Sequence, residues 1–112
     1  MSMVRPAPPA SQKRRKNKDW QDKKAQEVFA AILSLKTLDE CHRFFRDLMT
    51  LKEIRDISER WEVAQLLDKG LSYREISEKT GMSTTTVGRI AHWIDYGEGG
   101  YRLVLDRIKK KR

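Results

Sequence analysis

Three times along this chain a Ser or Thr is followed three residues later by Glu, with an apolar stretch at helical spacing next. The segments are Thr37-Leu38-Asp39-Glu40, Thr50-Leu51-Lys52-Glu53 and Ser72-Tyr73-Arg74-Glu75. Each reads as a capping box: the hydroxyl accepts from the Glu amide, and the Glu carboxylate accepts from the Ser or Thr amide. Two of the donors that every helix start leaves unpaired are satisfied in this way. All three prolines (Pro6, Pro8, Pro9) lie near the N-terminus, so no later proline interrupts a helix. No stretch shows the period-two alternation of a half-buried strand. The predicted fold class is all-α, with about six helices.

The helical periodicity also selects candidate core residues. Asp19 is expected to cap a first helix that carries Ala25, Val28, Phe29, Ile32 and Leu33 on one face. The helix opened by Thr37 offers Leu38, Cys41, Phe44, Phe45 and Leu48. The one opened by Thr50 offers Ile54, Ile57, Trp61, Ala64 and Leu67, and stops at Lys69-Gly70, where glycine suits a left-handed terminus. A last helix is expected over Tyr101 to Lys110, reached through a glycine hinge at Gly97, Gly99 and Gly100. Residues 1–18, with the run Lys13-Arg14-Arg15-Lys16-Asn17-Lys18, read as a mobile basic arm, 19–110 as one domain, and 111–112 as a basic end.

Charge narrows the class of partner. The 112 residues hold 24 Lys and Arg against 16 Asp and Glu, a net +8, and such an excess suits a polyanion, most economically nucleic acid. No apolar run approaches the roughly 18 residues of a membrane span, and no hydrophobic segment follows the basic N-terminus. The expectation is a cytoplasmic protein associated with the bacterial nucleoid. The one cysteine, Cys41, rules out an intrachain disulfide. Adjacent on a helix, Cys41 and His42 point about 100° apart and make a poor metal site. No metal, no cofactor and no catalytic residue is expected: no nucleophile has a recognisable base and orienter.

Residues 72–94 form the most informative segment. A short helix (Tyr73 to Lys79) leads through Thr80-Gly81-Met82-Ser83 into a second helix from Thr84 to about Ile94, with Gly81 supplying the positive φ of a tight interhelical turn. Met82, Val87 and Ile90 fill the angle between the helices, and Ser83 caps the second. Val87, Ile90 and Ile94 share one face, which leaves Thr85, Arg89 and His92 on the other. A helix with hydroxyls at its start and an arginine further along suits a DNA major groove. Thr84, Thr85 and Arg89 are the expected base-edge contacts, and Tyr73, Arg74 and Ser83 the expected phosphate contacts. His92 reads as a surface residue, and Trp20, Trp61 and Trp93 as core and dimer packing.

Gly70-Leu71-Ser72-Tyr73-Arg74-Glu75-Ile76, Thr80-Gly81-Met82-Ser83-Thr84-Thr85-Thr86-Val87-Gly88-Arg89 and Asp95-Tyr96-Gly97-Glu98-Gly99-Gly100-Tyr101 together resemble the Trp-repressor superfamily, and within it the YerC/YecD-type group. The resemblance runs from about Leu38 to Arg107. It implies a homodimer with interlocking N-terminal helices that presents two reading heads to a palindromic operator in double-stranded DNA, as a transcriptional repressor. It also places the family's tryptophan contacts on Thr50, Arg60 and Arg89. Where the family has glycine after that arginine, this chain has Ile90, with Trp93 three residues on. Bulk at that point argues against tryptophan. The expectation is a repressor active without it, and another small effector stays open. Two rival readings are a basic RNA-binding accessory protein without operator specificity and a helix-turn-helix module of a larger assembly.

Overall fold

The computed structural model describes residues 19–111, so the basic arm expected over 1–18 and the final residue lie outside the described residues. A short 3-10 turn (Asp19–Gln21) precedes six α-helices: α1 (Lys23–Leu33), α2 (Leu38–Leu48), α3 (Leu51–Asp68), α4 (Tyr73–Thr80), α5 (Thr84–Tyr96) and α6 (Gly100–Lys111). No strand occurs among the described residues, and the fold is all-α. No helix among them is long and apolar enough to cross a membrane. The chain divides into two compact units, Met1–Thr50 and Leu51–Arg112.

In the first unit the cap of α1 is Asp22 rather than Asp19. Asp22 stands one residue before the helix in extended backbone, and its Oδ1 accepts from the Ala25 N–H at 2.9 Å, while Asp19 opens the 3-10 turn ahead of it. Thr37 caps α2 by accepting from the Glu40 N–H at 3.1 Å. The Glu40 carboxylate takes the Lys36 N–H at 2.8 Å, one residue further out than the expected box. Neither helix buries a residue: of their expected apolar faces, Cys41, Phe44 and Phe45 are half-buried, while Leu33 is 86% and Leu38 73% exposed.

The second unit holds the core. Val63, Ala64 and Leu66 of α3, Ile76 of α4, and Val87 and Ile90 of α5 form one buried cluster, with Trp61, Leu67, Leu71, Met82, Ile94 and Tyr101 packed around it. The helix α3 begins at Leu51, directly after Thr50, but its buried face differs from expectation. Ile57 is exposed, and Val63 and Leu66, not among the expected core positions, are buried. The cause is that α4, α5 and α6 all pack on α3, so its C-terminal half buries more than one stripe. The helix ends as a Schellman motif: Gly70 has φ 93, its N–H donates to Leu67 O at 3.0 Å, and the Leu71 N–H donates to Leu66 O at 3.2 Å.

Asp68 ties α6 to the end of α3. Its side chain is 13% exposed; Arg102 Nη1 lies 3.0 Å from Oδ1 and Lys109 Nζ lies 3.2 Å from Oδ2. An acid at a helix C-terminus is opposed by the helix dipole, and the two cations offset that. The hydrogen bond from Arg102, then that from Lys109 and the charges of both, hold the Asp68 carboxyl below its ordinary value of 3.8 against the opposing effect of burial. A carboxyl lowered in the fold stabilises it fully above the unfolded pKa, and that contribution is lost as pH falls through the lowered folded pKa. Asp68→Asn is therefore expected to destabilise the fold by about 1–2 kcal/mol near neutral pH. That deficit should shrink steadily below about pH 4. Urea denaturation of both proteins across this range measures it, and a deficit independent of pH would contradict the assignment.

Candidate nucleic-acid interface

The segment from α4 to α5 is built by local hydrogen bonds that its sequence dictates. Ser72 caps α4 with both halves of the box in place: its Oγ accepts from the Glu75 N–H at 3.1 Å, and the Glu75 carboxylate accepts from the Ser72 N–H at 2.8 Å. That backbone donor, with the Ser72 hydroxyl, pulls the Glu75 carboxyl below its ordinary value. Gly81 ends α4 in the left-handed region (φ 81, ψ −1), donating to Ser77 O at 2.9 Å. A Cβ there would meet nothing within 4 Å, so the glycine is required by backbone conformation rather than by space. The Thr80 hydroxyl donates to Ile76 O at 2.7 Å and accepts from the Met82 N–H at 3.2 Å, which stitches the turn to the helix before it.

Ser83 opens α5 by accepting from the Thr86 N–H at 3.1 Å, and its hydroxyl donates to Thr86 Oγ1 at 3.0 Å. Its side chain is thus engaged in capping. The helix runs two residues past the expected Ile94, to Tyr96. Val87 and Ile90 are buried and Ile94 is half-buried, while Thr84, Thr85, Arg89 and His92 are exposed. The two faces are divided as the spacing predicts. On α4, Arg74 is exposed and lies 3.6 Å from Glu78, a pair weakened by solvent. Tyr73 is 47% exposed, and its ring approaches α5 so closely that a Cβ at Gly88 would lie 3.5 Å from it.

Arg60 and Arg89, expected to share an effector site, do line one cavity of about 540 Å³, together with Asp56, Glu59, Ile90 and Trp93. Thr50, the third expected member, belongs to the first compact unit. Asp56 is paired with Lys52 at 2.9 Å. Asp56 was not among the expected members, and its spacing of four residues before Arg60 was the available signal. Trp20 and Trp93 are 47% and 56% exposed rather than core. His92 packs against Trp93 and Tyr96 with centroids 5.5 and 5.0 Å apart. The glycine hinge is shorter than expected, because α6 already begins at Gly100. Among the described residues no group of three His, Cys, Asp or Glu side chains could hold a metal ion.

The Trp repressor protein family model matches residues 23–109. The uncharacterised protein YerC of Bacillus subtilis (strain 168) is 44% identical over 88 residues, spanning 79% of this chain and 85% of that protein. A TrpR-like protein from Eubacterium eligens superposes with a TM-score of 0.78 at 42% identity, covering 83% of this chain and 96% of that one. A candidate Trp repressor from Staphylococcus aureus gives 0.73 at 36% identity, with 79% and 88% covered. The chain belongs to the Trp repressor family of DNA-binding regulators, on the side of YerC.

Proposed function

We propose that this protein is a dimeric, sequence-specific repressor that reads a palindromic operator in duplex DNA through α5. The observation that carries the reading is the exposed row Thr84, Thr85 and Arg89 on a helix whose opposite side, Val87 and Ile90, is fixed in the core. Hydroxyls and a bidentate guanidinium are the groups that discriminate base edges in a major groove. Phosphate contact falls to Tyr73 and Arg74 at the start of α4 and to Ser83, which also caps α5. The dimer is supported by α1 and α2, which bury no residue fully within one chain while exposing Phe29, Leu33, Leu38 and Leu48; a second copy is the partner that such faces fit. The basic arm at 13–18 adds affinity for phosphate regardless of sequence.

Selection of bound sequences from a random duplex pool tests the whole reading. The expected product is a palindrome with half-sites about one helical turn apart. Recovery of no common sequence, or equal competition by structured RNA, would favour an accessory nucleic-acid-binding protein instead. On the recovered operator, Arg89→Ala is expected to weaken binding by about 1–3 kcal/mol and to relax preference at one base pair per half-site. Unchanged affinity in a gel-shift titration would show that the reading face is assigned to the wrong side of α5.

Repression is proposed to need no tryptophan. Ile90 is 4% exposed and forms part of both the core and the wall of the cavity beside Arg60 and Arg89, so a branched side chain stands at the point where the family's glycine admits an indole. Calorimetric titration with tryptophan is expected to give no binding at micromolar concentrations, and operator affinity should be the same with and without it. Micromolar binding would overturn this reading of Ile90 and leave the DNA reading standing.

A further inference from the structure

We infer that Gly88 is a specificity-determining residue of α5, its bare backbone receiving the C5-methyl group of a thymine in the major groove. The inference rests on the proposed reading of duplex DNA by α5 and names one base that this helix selects. Glycine is disfavoured in a helix interior more than any residue except proline, yet Gly88 lies inside the 13-residue α5. Its own fold does not require it. The glycines with positive φ are Gly70, Gly81 and Gly99, so Gly88 is not needed for its backbone conformation. The atom that a Cβ would meet across the fold is in the Tyr73 ring, at 3.5 Å, an ordinary van der Waals contact. Alanine would fit there and favour the helix.

The surroundings of Gly88 select what approaches it. Thr84 and Thr85 precede it by four and three residues and His92 follows it by four, so all three are its neighbours on the helix surface. These three and Arg89 are exposed, and Gly88 is half-buried among them with the Tyr73 ring of α4 alongside. The result is a shallow depression with a polar rim and an apolar floor of the glycine Cα and a ring edge. Within the helix the Gly88 N–H is committed to the carbonyl four residues back, so the floor offers a phosphate no donor. A compact apolar group suits it, and among the four bases thymine alone presents one, its methyl, in the major groove. The rim hydroxyls and the Arg89 guanidinium supply donors to O4 of the same base and to its neighbours.

The test is a cycle of two methyl groups, one added to the protein and one taken from the DNA. Gly88→Ala and the wild type are titrated on the operator recovered by selection, and on the same operator with deoxyuridine replacing each thymine in turn in both half-sites. The wild type is expected to lose about fourfold in affinity per half-site when one thymine, fixed in every recovered half-site, loses its methyl. Gly88→Ala is expected to raise the thermal midpoint by a few degrees and to bind the thymine operator about tenfold or more weakly. It should regain most of that loss on the matching deoxyuridine operator. Unchanged operator affinity in Gly88→Ala would overturn the proposal. Equal weakening on both operators would also overturn it and place the sugar-phosphate backbone at this spot. A lowered thermal midpoint would do the same, because the glycine would then be required by packing against Tyr73. Recovery of no operator by the wild type would overturn the reading of DNA itself, and that result precedes any variant.

Discussion

Val63, Ile76 and Val87 meet with no exposed surface at all, and each comes from a different helix. The left-handed Gly81 permits the chain to reverse between α4 and α5, but it does not by itself set the angle between them. That angle follows from the need to bury three branched side chains against one another, where interiors tolerate little change of volume. Once Val87 and Ile90 are turned inward on a helix of 3.6 residues per turn, Thr85 and Arg89 face out, while Thr84 is exposed because it opens the helix. The proposed reading surface is thus a consequence of core packing, and the polar residues on it are free to differ without altering the fold.

The charges divide into those that hold the fold together and those available to a partner. Arg102 and Lys109 are paired with Asp68, Arg43 with Asp39, Lys52 with Asp56 and Arg74 with Glu78. Of these, the Asp68 group alone is sheltered; the others are solvent-exposed i,i+4 pairs whose contribution is small and screened by salt. The net +8 therefore does not sit on α5. Most of it comes from the basic run at 13–18 and from the end of α6, where Lys110 and Lys111 follow the paired Lys109 in the last turn. On the proposed function, long-range attraction to a polyanion and discrimination among its sequences fall to different parts of the chain.

The all-α class and the two faces of α5 were legible in the sequence because they rest on local rules: capping residues, a positive-φ glycine and helical periodicity. Legibility failed where the outcome depends on which elements meet. The Asp19 and Asp22 caps are equally good by composition, and the choice between them was settled by where the helix could start. Val63 and Leu66 escaped notice because periodicity describes one stripe, whereas α3 is packed by three neighbours. The cavity at Arg60 and Arg89 was reached through the resemblance, and Asp56 stood at a readable spacing from Arg60; by contrast, the stacking of Tyr101 on Trp61 is an approach across about forty residues of chain. No spacing rule encodes that approach.

Arg89 and Ile90 place two opposed demands on adjacent residues. On the proposed function Arg89 is presented to DNA, and it also lines the cavity between α3 and α5; Ile90 is anchored in the core at 4% exposure. A glycine in place of Ile90 would leave that stretch of α5 without an anchor, both by lost burial, worth about 1.5–3 kcal/mol for a branched side chain, and by its lower helix propensity. A bound ligand could then supply the missing contact, and the orientation of the helix would depend on its presence. With isoleucine the contact is intramolecular and permanent, so the geometry of α5 is set by folding alone. On the proposed function, the side chain that stands in the glycine's place in the cavity wall also removes the need for a ligand there.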